Sequence, residues 1–337
     1  MKSTHRMALG IAAAILTASL GLAGFMLLRS PVPTVVFNKV TIAVPNQINS
    51  ALMIVASGNN LFHQTGVEVV SQPFLLGKDA LKSVLDGNAD LAIVADTPFV
   101  IAFLGGNDIA ILASISQARR SIALVTFSDG NIQRVSDLIG KSVGLPMGTN
   151  LTYFFDTLLQ INRVPHDKVR LVDISPDKVI DAMKDGRIDA GVAMQPILSL
   201  AQADMGDRIK LTYGEDIYAF RFLLVGKTAY IDSHSQDIQR VLKGLIAANK
   251  YIHDKPLEAH IMLGKATNVD GATIAQYFDS EDYAVGLDQA LLLALEDQAR
   301  WLMHRGLVPP RSMPNFLTAI NYRDLEAVKP VAVTIVH

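Results

Sequence analysis

The chain of 337 residues contains no cysteine. That excludes disulfides, thiolate nucleophiles, cysteine-ligated metals and attachment of lipid to an N-terminal cysteine. Neither sign of charge is in excess: 30 Lys and Arg stand against 32 Asp and Glu, a formal net charge of -2. Such a balance gives no general attraction to nucleic acid or anionic lipid. The one close basic pair in the folded part, Arg119-Arg120, is too small for a nucleic-acid stripe. Aromatic residues make up 7%, with a single tryptophan, Trp301, which reads as packing on a helix. The eight histidines show no His-Glu-x-x-His or similar ligand spacing. There is no Gly-x-Ser-x-Gly element and no glycine-rich phosphate loop. No metal, cofactor or catalytic group is therefore expected, and the chain does not read as an enzyme.

What is abundant is apolar material. Half the residues are hydrophobic and 18% are charged, so the core is ample, and the length favours two domains. Lys2, His5 and Arg6 precede an uncharged run from Met7 to Leu28. At ~1.5 Å per residue in a helix, such a run covers the ~30 Å hydrocarbon core of a bilayer. It is longer than the roughly 7–15 apolar residues of a cleavable signal. It reads as an uncleaved anchor with its N-terminus in the cytoplasm; a signal peptide cut near Ala23 is the alternative. Either places the body of the protein in the periplasm or on the outer face of the cytoplasmic membrane. Residues 1–34 form this segment and a stiff Pro-containing linker.

The strongest pattern is an internal repeat. One unit opens with Thr41-Ile42-Ala43-Val44-Pro45 and closes with Asp86-Gly87-Asn88-Ala89-Asp90 and an apolar run to Ala95. A second, about a hundred residues on, opens with Ser142-Val143-Gly144-Leu145-Pro146 and closes with Asp185-Gly186-Arg187-Ile188-Asp189 and an apolar run to Met194. In both, an Asn follows the proline by four residues (Asn49, Asn150), where a helix can start. Strands are expected at 39–44, 67–71, 91–95, 109–115, 121–127, 142–145, 170–174, 189–194, 209–213 and 220–225, with helices between them and a helical region after Asp237. This alternation indicates right-handed βαβ units and an α/β fold of two lobes. The tail 331–336 reads as a strand or a disordered end.

The order of motifs resembles the solute-binding proteins of ABC importers, in the nitrate/sulfonate/taurine group related to thiamine-pyrimidine-precursor binding proteins. The resemblance rests on Asp96-Thr97-Pro98, on Val135-Ser136-Asp137-Leu138-Ile139-Gly140-Lys141-Ser142-Val143-Gly144, on Gly148-Thr149-Asn150, on Asp185-Gly186-Arg187-Ile188-Asp189-Ala190 and on Asp254-Lys255-Pro256-Leu257-Glu258-Ala259. It implies a type II periplasmic-binding-protein fold: two α/β lobes with mostly parallel sheets, joined by two crossovers that close by hinge motion, with a helical C-terminal region. Residues 35–120 and 221–330 would form the first lobe and 121–220 the second. The chain departs from the family in lacking a lipoprotein Cys, in Gln195-Pro196 where many members have Glu-Pro, and in Arg119-Arg120.

Ligands gather at the carboxyl ends of parallel strands. The loops 45–49, 96–98, 146–150 and 195–196 thus supply the candidate ligand-binding residues Gln47, Asn49, Thr97, Thr149, Asn150 and Gln195. Thr97 and Asn150 read equally as helix caps. Thr97, Thr149 and Asn150 are expected to face one another across the cleft. Arg120, next to the first crossover, is the candidate counter-charge for an anion. Tyr153, Tyr213 and Tyr218 are candidate walls, and Asp216 a contact for a cationic group.

The resemblance implies an extracytoplasmic binding component that captures a small, anionic organic solute and passes it to permease and ATPase subunits. The solute class stays open among sulfonates, taurine, nitrate, a pyrimidine and an aromatic carboxylate. A membrane-anchored ligand sensor that signals to a partner is the alternative, and a pyrimidine-precursor binder or synthase-like enzyme the third reading. That enzyme class relies on a Cys-rich iron motif, which a chain without Cys does not have.

Overall fold

The structure, a computed structural model, describes residues 37–214, 217–278, 281–309 and 311–337. The apolar segment 7–28 and Asp216 lie outside the described residues. Among the described residues, no helix is long and apolar enough to cross a membrane.

The first lobe begins with β1 (Asn38–Pro45), α1 (Ala51–Gly58), α2 (Leu61–Gln64), β2 (Val67–Phe74), α3 (Gly77–Leu85), β3 (Leu91–Ala95), α4 (Asp96–Leu104) and β4 (Ile109–Ala118). The second is built from β5 (Ile122–Phe127), β6 (Ser142–Leu145), α5 (Asn150–Ile161), β7 (Arg170–Asp173), α6 (Val179–Lys184), β8 (Ala190–Met194), α7 (Ile197–Met205) and β9 (Ile209–Tyr213). The chain then returns through β10 (Phe220–Lys227), α8 (Thr228–Ser233), α9 (Ser235–Asp254), α10 (Pro256–Thr267), α11 (Gly271–Phe278), β11 (Glu281–Asp282), α12 (Gln289–His304) and α13 (Arg323–Val328).

One sheet runs β11-β4-β10-β3-β1-β2 and the other β7-β6-β8-β5-β9. Each has one long antiparallel strand, β10 in the first and β5 in the second; these are the first strands after each crossing. β1, β2 and β3 run parallel, as do β6, β7 and β8. β3 and β8 lie inside their sheets and are buried along their whole length, which is why they read as unbroken apolar runs.

The repeated motif has a physical basis in both lobes. Asp90 accepts a hydrogen bond from the Thr41 N–H at 2.7 Å, and Asp189 one from the Ser142 N–H at 2.7 Å. The two aspartates return the bond through their own N–H groups to the Thr41 and Ser142 carbonyls, each at 2.9 Å. They lock the start of one strand to the entrance of the next. The preceding Gly87 and Gly186 take φ of +80° and +68°, a left-handed turn that ends each helix and suits only glycine well. The repeated Asp-Gly-x-x-Asp is thus a structural joint rather than chemistry.

Some boundaries differ from expectation. β2 continues to Phe74 through Pro73, because β2 is the edge of its sheet and a proline there removes no ladder bond. β4 runs on to Ala118 despite its serines, since Ser116 donates to the Asn49 carbonyl at 3.1 Å. The tail forms a short turn at Pro330–Ala332, and Val333 bridges to Leu287. α13 has no counterpart among the helices the sequence leads one to expect, the last of which ends at Gly306. In α9, Ile238, Val241, Leu242 and Leu245 are fully buried over α1 and α2, each worth roughly 1.5–3 kcal/mol of transfer free energy.

Candidate functional site

The parallel strands of both lobes point their carboxyl ends at one small cavity. It is lined from the first lobe by Gln47 after β1, Leu76, Gly77 and Lys78 after β2, Ala95 and Pro98 at the end of β3, and Phe222 on β10. From the second lobe come Pro146, Thr149, Asn150 and Leu151 after β6, Pro176 after β7 and Met194 at the end of β8. Its volume is about 20 Å³, so a solute of several heavy atoms enters only when the lobes part further than they do here. The lobes are therefore closed on one another, and Lys78 Nζ bridges them with a 3.0 Å bond to the Met147 carbonyl.

Three of the seven expected residues reach this cavity. Gln47 does so half-buried, its Nε2 donating to the Leu75 carbonyl at 3.0 Å. Thr149 caps α5: its hydroxyl accepts from the Leu151 N–H at 3.2 Å and donates to the Pro146 carbonyl at 2.8 Å. Asn150 opens α5, is 5% exposed, and its Nδ2 has no hydrogen-bond partner. A buried amide without a partner costs about 1–3 kcal/mol, so something else must compensate for it.

The other four are placed beside the cavity or away from it. Asn49 is buried, and its Nδ2 donates to Glu281 Oε2 at 2.7 Å. Thr97 is buried with its hydroxyl 3.5 Å from that of Tyr218, while its neighbours Ala95 and Pro98 face the cavity. Gln195 is buried; its Oε1 accepts from the Ser199 N–H at 3.3 Å and its N–H donates to the Ser121 carbonyl at 2.9 Å. Arg120 is exposed, with its guanidinium carbon 4.8 Å from the ring centre of Tyr213. It does not line the cavity.

Two buried carboxyls flank the crossings. Asp96 accepts from the Tyr218 hydroxyl, from the Thr97 N–H at 2.9 Å and from the Arg221 N–H at 3.4 Å. Burial pushes it up to about 6, against the pull of those bonds. Gln298, wholly buried, lies beside the same carboxyl without a well-formed hydrogen bond. Glu281 accepts from Ser121 and Asn49, and burial pushes it up to about 8. The residue as a whole keeps partial exposure, while its carboxyl end is enclosed by protein.

Behind the cleft, α5 is held to α12. Asp156 accepts from Trp301 Nε1 and Arg305 Nε, both at 2.9 Å, and lies 3.0 Å from His166 Nε2. Burial lowers the His166 pKa; Asp156 opposes that shift and Arg305 adds to it. Tyr153 packs edge-on against Tyr218 and Trp301, with ring centres 4.9 and 5.1 Å away. A recess of about 640 Å³ opens here, much larger than the cleft cavity. Its charged groups are already paired, Asp156 as above and Arg300 with Asp297 at 3.0 Å, and it lies on helix flanks rather than strand ends.

Sequence reasoning missed Lys78, Pro176 and Glu281. The first two were within reach: the loops after β2 and β7 belong to the same parallel sets, so the strand-end rule applied to them as well. Glu281 lies some 230 residues from Asn49, and no local signal announces that contact.

Two α/β lobes, two crossings and a cavity at the facing strand ends define a type II periplasmic-binding-protein fold. The chain belongs to the NMT1/THI5-like family, whose model matches residues 47–259. Among curated proteins it is 23% identical over 209 residues to one of Bacillus subtilis (strain 168), provisionally named an aliphatic sulfonates-binding protein. The match takes in 61% of this chain and spans 62% of the length of that relative. Among solved structures, the alkanesulfonate-binding protein SsuA of Xanthomonas axonopodis pv. citri, bound to MOPS, superimposes with a TM-score of 0.75 at 17% identity, over 84% of this chain and 98% of that one. The periplasmic aliphatic sulphonate binding protein SsuA of Escherichia coli gives 0.73 at 18%, over 84% and 97%.

Proposed function

We propose that the chain is the extracytoplasmic solute-binding component of an ABC importer, and that it captures a small anionic solute of the sulfonate class between its lobes. The observation that carries this is Asn150: a residue with a buried amide without a partner, at the first turn of a 12-residue helix, lining a cavity to which both lobes contribute. Helix N-termini present free N–H groups and a positive dipole end, which favour an anion. The sulfonate-binding relatives support the solute class. The chain binds and releases; the transporter's ATPase supplies the energy, so no catalytic step is required of it. The segment 7–28 holds it at the outer face of the cytoplasmic membrane, within reach of the permease.

A thermal-shift screen of the full chain against alkanesulfonates, taurine, nitrate, aromatic carboxylates and pyrimidines tests the reading. Binding to the native state raises stability by RT ln(1 + [L]/Kd), about 2.7 kcal/mol at a hundredfold excess over Kd. Sulfonates are expected to raise Tm by several degrees. A shift produced only by uncharged compounds, or conversion of any of them, would contradict it.

A further inference from the structure

Closure is favoured by a ligand only if both lobes gain contacts with it. The second lobe offers Asn150 Nδ2. In the first lobe, the polar side chains lining the cavity are Gln47 and Lys78. Gln47 has committed one N–H to the Leu75 carbonyl; it keeps a second N–H but carries no charge to balance an anion. The Lys78 ammonium carries three N–H donors, and one reaches the Met147 carbonyl.

The position of Lys78 is fixed by the residue before it. A Cβ at Gly77 would lie 3.2 Å from Val94 Cα and 3.4 Å from Ala95 N, so α3 starts pressed against the end of β3. That contact sets the first turn of α3 over the cavity. A lysine there also faces the positive end of its own helix, where an acidic residue such as the neighbouring Asp79 is the favoured choice. A cation that local helix electrostatics disfavours, at a point where α3 meets the other lobe, points to a role outside the helix.

We infer that Lys78 is the first lobe's anion-recognising residue and the link between binding and closure. Its ammonium spans the lobe boundary through the Met147 carbonyl and gives its remaining donors to an oxyanion headgroup, which Asn150 holds from the second lobe. The counter-charge for the ligand thus comes from α3 and not from the crossover that carries Arg120. The inference rests on the reading of the cleft as an anion site.

The test is calorimetric titration of the full chain with ethanesulfonate and with nitrate, for the unaltered protein and for Lys78→Met, Lys78→Arg and Lys82→Met. Lys82→Met removes the same charge from the same helix at an exposed ion pair with Asp86, so it measures the long-range field alone. Lys78→Met is expected to weaken binding at least about tenfold, the loss of one charged hydrogen bond. Lys78→Arg should recover a substantial part, and Lys82→Met should change affinity less than about twofold. A melting curve for each variant separates loss of binding from loss of fold. If Lys78→Met binds as tightly as the unaltered chain, Lys78 has no such role, and the anion site stands without it. If the unaltered chain binds neither probe, the anion reading of the cleft falls, and the assignment of Lys78 falls with it.

Discussion

Asn49 and Asn150 occupy the same place in the two copies of the repeat, four residues beyond the proline that ends the first strand. Their surroundings are opposite. Asn49 Nδ2 is bound to Glu281, whose carboxyl is brought back to the first lobe by the C-terminal region. Asn150 Nδ2 is bound to nothing in the protein. One loop further on the lobes are alike: Thr97 and Asp96 are enclosed by Tyr218 and Gln298, and Gln195, at the end of β8, is bonded to the Ser199 N–H. In the first lobe Asn49 and Asp96 are bonded within the protein; in the second, the Asn150 amide is not. Position in a repeat therefore locates a residue without deciding its role; the later-arriving chain decides it.

The largest expected effect concerns what lets Asn150 stay free, the anchoring of α5 from behind. Asp156→Ala removes the acceptor shared by Trp301 and Arg305 and leaves the nearby His166 without its carboxylate. Urea unfolding should show a loss of about 3 kcal/mol, near the lower bound for breaking a buried pair because Arg305 and His166 remain partly hydrated. A loss below about 1 kcal/mol would mean that α5 is held mainly by its apolar face.

The two asparagines should then separate cleanly. Asn49→Ala is expected to cost about 2 kcal/mol of stability, because it strips a partner from the enclosed Glu281, while changing ethanesulfonate affinity less than about threefold. Asn150→Ala should do the reverse: affinity falls about tenfold, and stability without ligand is not reduced, since no protein bond is lost and an unpartnered buried amide is removed. Equal behaviour of the two variants in both assays would erase the distinction between the lobes.

The smallest effect is in pH dependence. Glu281 is held up to about 8 by burial, so its favourable contribution is complete below the ordinary carboxyl value and is lost as pH rises through about 8. The chain should lose stability from pH 5 to 8.5, and Glu281→Gln should flatten that slope by a few degrees of Tm. An unchanged slope would show that the carboxyl ionises without penalty.

The fold was legible because its signals are local and repeated. Alternating apolar runs, Asp-Gly turns and proline-ended strands are written into each lobe, and β10 was marked by an apolar run after the second crossing. The site was legible only in part. Thr149 and Asn150 follow from the strand-end rule and do reach the cavity. Arg120 is a cation near a crossover, which makes it a candidate in the sequence, but in the structure its exposed side chain lies over Tyr213. Asn49 and Thr97 could not be told from Asn150 and Thr149 without their partners, because Glu281 and Tyr218 come from chain more than a hundred residues away.

The most direct test is an interlobe distance, read by paired spin or fluorescent labels on exposed sites of α3 and α6 while ethanesulfonate is titrated into the full chain. The distance should settle to a short, narrow distribution in the unaltered protein and in Asn49→Ala, and should stay broad at the same concentrations in Asn150→Ala. Ligand-driven closure that persists undiminished in Asn150→Ala would contradict the claim that this amide is the second lobe's hold on the ligand.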